Sequence, residues 1–228
     1  GADSIEEMVL ACRKLGYKYL CISDHSQSQV QAGGLDKRRL AEQVREIRKV
    51  NEQLTDILVL AGCEVDVFKD GALDFETDVL AELDFVTASP HSALSLKRPE
   101  ATKRLIRAIE HPHVHSIGHP TGRLIGRRAG MELDIEAVAA AAAANDVALE
   151  INAHPMRLDL RDVHVRAAVA AGAKLVINTD AHSIAELALM RYGVVTARRG
   201  WAAAADVVNT YTPAKLKKWL KKQHKQKS

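Results

Sequence analysis

The sequence predicts an α/β fold of parallel strands and covering helices, on three observations. Apolar segments of strand length alternate with amphipathic segments of helix length along the chain. Aromatic residues make up only 4%, and Ala, Val, Leu and Ile carry the apolar content, which suits packing between helices and a parallel sheet better than a β-sandwich. Almost every strand candidate ends in a potential metal ligand.

The elements follow in order. Ser4-Ile5-Glu6-Glu7 is a capping box; Met8, Ala11, Cys12 and Leu15 come at helical spacing until Gly16 stops the turn, so a helix comes first. A strand is expected from Tyr17 to Ser23, a long amphipathic helix from Asp36 to Thr55, and a continuous apolar strand from Ile57 to Cys63. Helix from Glu76 to Leu83, strand from Phe85 to Ala88, helix from Glu100 to Glu110 and strand from Val114 to Gly118 continue the alternation. Then come helix from Asp134 to Asn145, strand from Val147 to Ile151, helix from Val163 to Ala171, strand from Leu175 to Asn178 and helix from Ile184 to Tyr192. Thr212-Pro213 opens a last helix by N-cap and first-turn preference. Such βαβ units with right-handed crossovers wind into a barrel or an open sheet. No Gly-rich dinucleotide or phosphate-loop signature follows any strand, since Gly33-Gly34 and the glycines at 122 and 126 lack the spacing.

At 228 residues the chain is expected to form one domain, 1–228; 47% hydrophobic and 27% charged residues exclude disordered, collagenous and coiled-coil classes. Seven Lys and no acid lie from Pro213 to Ser228, so the other 212 residues carry a net charge of −4 against +3 for the whole. That mildly acidic body lacks the basic face usual in a nucleic-acid binder, and any DNA contact must come from local Arg clusters. The Lys-rich segment 212–228, with Trp219, reads as an amphipathic helix fraying into a charged end, solubilising or DNA-contacting. Cys12, Cys21 and Cys63 are odd in number and unpaired in spacing, so they read as buried small hydrophobes in a reducing, cytoplasmic compartment. No apolar run is long enough for a membrane span. Gly1 in place of Met, without a signal-peptide pattern, suggests an excised or processed piece.

The residues just past successive strands are Asp24-His25, Glu64, His91, His119, Asn152 with His154, and Asp180 with His182. A lone histidine in such a place is ordinarily a capped or solvated loop residue. Six successive strand ends are another matter, because in a closed (β/α) barrel the carboxyl ends meet at one mouth. His with carboxylate suits Zn²⁺, Mn²⁺ or Fe²⁺ rather than Mg²⁺ alone.

His111 and His113 precede their strand with Pro112 between them, while His164 at a helix start and His224 in the Lys-rich tail read as solvated. Asp66 is either an outer partner of Glu64 or a loop cap, and Asp74, Asp78 and Asp84 read as helix-end and turn residues. Arg123, Arg127 and Arg128, with Arg157 and Arg161, are the clustered guanidinium groups near the strand-end face, where they could hold phosphate oxygens or form ordinary loop salt bridges.

Ser23-Asp24-His25, Glu64-Val65-Asp66, Ser89-Pro90-His91, Gly118-His119-Pro120 and Thr179-Asp180-Ala181-His182 together resemble the PHP family of metal-dependent phosphoesterases. More narrowly, His119 to Arg128, Glu150-Ile151-Asn152-Ala153, Pro155 and Arg157 to Leu160 are similar to the C-terminal PHP domain of bacterial family-X DNA polymerases. The resemblance spans essentially the whole chain, including Asp206 to Thr210. It implies a distorted (β/α)7 TIM-like barrel with a metal centre of two to three divalent ions, Zn, Mn or Fe. On it Glu64 would bridge two metals, with His91 and His119 on one and Asp180 on the other, while His25 and His182 would hold the third. Glu64 and Asp180 would be the catalytic residues, and Arg123, Arg127, Arg128 and Arg157 would bind the substrate backbone.

Family members open with a strand leading into His-x-His and a further Asp, which here would precede Gly1, so the first strand and three ligands are expected to be absent. His154 is a second departure, a non-ligating residue such as Asn being expected there; an added ligand and plain variation both stay open. The implied reaction is Mn²⁺-dependent 3′→5′ exonuclease action or related 3′-end processing in DNA repair. Clustered cations would activate water and neutralise phosphate charge, with no covalent enzyme intermediate. DNA 3′ ends and a polymerase domain N-terminal in the parent chain are the implied partners. A small-molecule phosphatase of histidinol-phosphatase type and a non-catalytic structural module are the two rivals.

Overall fold

The computed structural model describes the backbone of residues 1–226 and the side chains of residues 1–221. Six parallel strands lie side by side in chain order: β1 (Tyr19–His25), β2 (Leu58–Asp66), β3 (Phe85–Ser89), β4 (Ser116–Ile117), β5 (Ala148–Asn152) and β6 (Lys174–Asn178). Helices alternate with them: α1 (Ile5–Lys14), α2 (Lys37–Gln53), α3 (Thr77–Ala81), α4 (Arg98–Ile109), α5 (Ile135–Ala144), α6 (Asp162–Ala170) and α7 (Met190–Arg199). α8 (Pro213–Gln226) closes the series. The sheet curls into a half-barrel of TIM-like type, and among the described residues β6 does not pair with β1.

Local chemistry sets the element ends. The Ser4–Glu7 capping box forms, with Ser4 N donating to Glu7 Oε2 at 2.9 Å and Glu7 N to Ser4 Oγ at 3.3 Å. Asp36 caps α2 by accepting from Arg39 N at 2.8 Å. The strands are continuous apolar runs because both faces are covered. Val59, Ala61, Cys63 and Val65 of β2 face the outer helices, while Leu60, Gly62 and Glu64 face inward.

The inward face divides in two. Its lower half, Leu60, Phe85, Ala148 and Val176, packs with Tyr211, Leu216, Trp219 and Leu220, so α8 floors the curled sheet. The upper half, toward the carboxyl ends, carries Glu64, Thr87, Ser89, Glu150, Asn152 and Asn178. The side chains of Leu216, Trp219 and Leu220 are buried, a packing role that lysine content alone did not indicate, and Trp219 Nε1 donates to Asp146 Oδ1 at 3.2 Å. Lys222, His224, Lys225 and Lys227 of the tail lie outside the described side chains.

Several expected boundaries move. The helix expected to end at Tyr192 is a 3₁₀ turn, Ile184–Leu189, running into α7, which continues to Arg199. Gly193 sits inside α7 for packing: a Cβ there would lie 2.4 Å from Ile177 Cγ2. β4 shrinks to two residues, because Val114 and Gly118 fall outside the ladder. His164, expected to be solvated, is half-buried and accepts from Arg161 Nε through Nε2 at 3.2 Å. Burial first, then the charges of Arg161 and Arg123, push its pKa down to about 4.

Candidate functional site

Parallel register brings the strand-end residues level with one another. His25 pairs with Glu64, and Asp66 with Ser89, so the last turns of β1, β2 and β3 stand at one height. Glu64 is the centre: His25 Nδ1 lies 3.4 Å from its Oε2, while His91 Nε2 and His119 Nε2 lie 3.3 and 2.9 Å from its Oε1. The rings stack edge to face, with centroids 5.1 Å apart for His25–His91 and 4.9 Å for His91–His119. Burial alone would push the Glu64 carboxyl up, but the hydrogen bond to His119 and the imidazoles of His119 and His91 beside it hold it well below the usual range. Burial opposes His91 in the same way, yet Asp66 and Glu64 raise its ring to about 9.

Asp180 and His182 form a second group at the end of β6. Asp180 Oδ2 accepts from Asn152 Nδ2 at 3.1 Å and lies 3.6 Å from Arg157 Nε; His182 is largely exposed, its Nδ1 2.9 Å from the Asp180 carbonyl. Glu150 joins the two groups. Buried on β5, it accepts from His119 N at 2.5 Å and from Asn178 Nδ2 at 2.8 Å, and burial raises it to about 7. His119 and Asp180 both take positive φ, 24° and 53°, strain of the kind concentrated at functional sites.

A cation fits the first group. Ligand atoms of His25, Glu64 and His91 all lie within 4.8 Å of one another. His25 Nδ1, His91 Nε2 and His119 Nδ1 are buried without a hydrogen-bond partner, an arrangement that is costly unless something electrophilic meets such atoms. His25 stands with Glu64 and His91, and His182 stands with Asp180.

The arginines divide by environment. Arg123 is half-buried; its Nε donates to Arg157 O at 2.6 Å and its Nη2 to Leu158 O, so it stitches the 119–130 loop to the 153–160 loop. Arg128 Nε donates to Gly122 O at 2.8 Å, and Arg127 is exposed. Residues 123–129 line a cavity of about 430 Å³. Asp159, buried below, accepts from Thr121 N and Oγ1 at 3.0 and 2.8 Å. His154 is held inside its own loop, its Nδ1 accepting from Met156 N at 3.2 Å. Asn178, Asp159 and the fully buried Arg104 were not singled out from sequence; Asn178 could have been, by the strand-end criterion that found the others.

Comparison with known proteins adds kinship to this geometry. The PHP domain family matches residues 1–154. A DNA polymerase/3′-5′ exonuclease PolX of Bacillus subtilis is 46% identical over 97% of this chain, and a probable phosphatase of Caldicellulosiruptor bescii is 36% identical over 66% of it. The chain spans 39% of the first relative's length and 59% of the second's. Among solved structures, a histidinol phosphate phosphatase of Lactococcus lactis, complexed with Zn, L-histidinol and phosphate, superposes with a TM-score of 0.62 over 89% of both chains at 15% identity, a likeness of fold.

Proposed function

This chain belongs to the PHP domain family, and from that premise we propose that residues 1–228 act as one metal-dependent phosphoesterase domain that hydrolyses DNA phosphodiesters from 3′ ends. One observation carries the reading: buried imidazole nitrogens of His25 and His91 converge with the Glu64 carboxylate, their ligand atoms within 4.8 Å, and no hydrogen bond uses those nitrogens. His25, Glu64, His91 and His119 would hold one or two divalent ions, Zn, Mn or Fe, and Asp180 with His182 would complete the set.

Bound there, such ions would supply Lewis acidity that activates water and neutralises phosphate charge. The chain's own residues do the rest. Glu64 and Asp180 keep their carboxylates toward the mouth, Glu150 and Asn178 fix the His119 backbone, and Arg157 holds a guanidinium beside Asp180. Arg127 and Arg128 face solvent at the rim, where forked donors suit phosphate oxygens, and Arg123 positions Arg157 from behind. A 46% identical relative with a polymerase/3′-5′ exonuclease name favours a DNA 3′ end as substrate and a polymerase domain elsewhere in a longer parent chain.

The first test is elemental analysis of protein purified without added metal, followed by Mn²⁺-dependent hydrolysis of a 3′-labelled oligonucleotide. About two ions per chain and stepwise 3′→5′ shortening are expected. No bound ion in a folded, reconstituted sample would sink the proposal. Release of phosphate from a small amino-alcohol phosphate, with DNA left intact, would establish the rival that the acidic body and the phosphatase relative favour.

A further inference from the structure

We propose that Asp66 is the positioning residue of this site, one carboxylate that both orients the His91 ring and tethers the loop following His25. The assignment rests on the metal-centre reading above and concerns a residue outside its ligand set.

Asp66 is the last residue of β2, two after Glu64, so the pleat aims both carboxylates to the same face. They take opposite edges of one imidazole. Glu64 Oε1 lies 3.3 Å from His91 Nε2, and Asp66 Oδ1 is hydrogen-bonded to His91 Nδ1. With Nδ1–H given to Asp66, Nε2 is the ring atom left to face the convergence point, and that atom has no hydrogen bond.

The other oxygen works on the turn that follows β1. Asp66 Oδ2 accepts from Ser28 Oγ at 2.8 Å and Gln29 Nε2 at 2.6 Å, and Asp66 N donates to Ser26 Oγ at 3.0 Å. The segment thus pinned begins directly after His25, whose carbonyl is closed by Leu35 N at 2.8 Å. Asp66 itself is 3% exposed with both oxygens occupied. It therefore acts through His91 and His25 rather than on a ligand of its own. A carboxylate behind a ligating imidazole fixes the ring and raises its basicity, and its loss typically weakens metal binding 10–100-fold.

The experiment measures Zn²⁺ affinity of the protein by competition with a chromophoric chelator, for wild type, Asp66→Asn and the double variant Ser28→Ala/Gln29→Ala. Asp66→Asn is expected to weaken Zn²⁺ binding 10–100-fold, measured at a temperature where circular dichroism shows the metal-free variant folded. The double variant, which leaves the His91 contact in place, is expected to lose much less affinity than Asp66→Asn. Unchanged affinity in Asp66→Asn would overturn the assignment; an equal loss in the double variant would overturn the orienting role, and wild-type affinity in the double variant would overturn the tethering role.

A second readout needs no variant: long-range ¹H–¹⁵N spectra of the histidine rings, recorded metal-free and Zn²⁺-loaded. His91 is expected to carry its hydrogen on Nδ1 in the loaded protein; a hydrogen on Nε2 there would overturn the proposal. If wild type binds no ion, the phosphoesterase reading falls, and the metal-free spectrum still decides whether Asp66 holds Nδ1–H.

Discussion

The side-chain amide of Asn209 grips Ile177 at two points: Oδ1 accepts from Ile177 N at 2.7 Å and Nδ2 donates to Ile177 O at 2.8 Å. Ile177 is buried on β6, whose outer edge has no strand beside it among the described residues, so one side chain satisfies what a neighbouring strand would. Asn209→Ala is expected to cost about 1–2 kcal/mol, read from the denaturant midpoint. A loss well below that would mean that water replaces the amide without penalty.

Trp219 and Trp201 should respond unequally to truncation. Trp219 is 7% exposed in the lower cluster, whereas Trp201 is 68% exposed beneath the Arg166 guanidinium. Trp219→Ala should lose about 3–5 kcal/mol, and Trp201→Ala no more than about 1. Equal losses in urea unfolding would contradict the flooring role of α8.

Arg123 and Arg127 separate support from contact. Arg123→Ala frees the Arg157 and Leu158 carbonyls and is expected to cost about 1.5–3 kcal/mol of stability. Arg127→Ala should leave the melting temperature unchanged, lower oligonucleotide hydrolysis more than small-phosphoester hydrolysis, and reduce the salt slope of DNA binding by about one. Equal losses of Arg127→Ala on both substrates would place it away from the strand.

Acid should weaken the fold through His164. Its folded pKa lies at about 4, against about 6.5 for a free ring. Between those values the unfolded chain takes up a proton that the folded chain refuses, so this contribution to stability falls as pH drops from about 6.5 toward 4 and is complete above it. Urea midpoints at neutral pH and near pH 4.5 should therefore fall further in wild type than in His164→Gln. Parallel falls would dismiss His164 as the cause.

What the sequence revealed follows from how local each signal is. Six strands, their parallel sense and His25, Glu64, His91, His119, Asp180 and His182 at strand ends were legible, because periodicity and strand-end position need only neighbours in the chain. Residues whose work lies across the fold were not. Asn209 meets Ile177 from 32 positions away and Arg104 reaches back to the Phe68 carbonyl from 36; the resemblance takes in the Asp206–Thr210 stretch around Asn209, but nothing local says what either side chain will grip. The helix expected to stop at Tyr192 runs on through Gly193 because that glycine packs against β6, a contact invisible in one dimension. Which imidazoles lie beside Glu64 was likewise not legible: strand-end position says which residues reach the carboxyl end of the sheet, not their spacing there.

A sheet whose spatial order repeats its chain order has one more property. Each strand finds its partner in the stretch made just before it, so a chain emerging from its N-terminal end can lay β2 on β1, then β3 on β2, without waiting for a distant segment. The floor is the exception. The bond from the Tyr19 hydroxyl to the Val208 carbonyl spans 189 residues, and α8 arrives after every strand it covers. Until it does, Leu60, Phe85 and Val176 lack the cover that Leu216, Trp219 and Leu220 give them, and apolar surface left open in this way is what makes partly folded chains prone to aggregate.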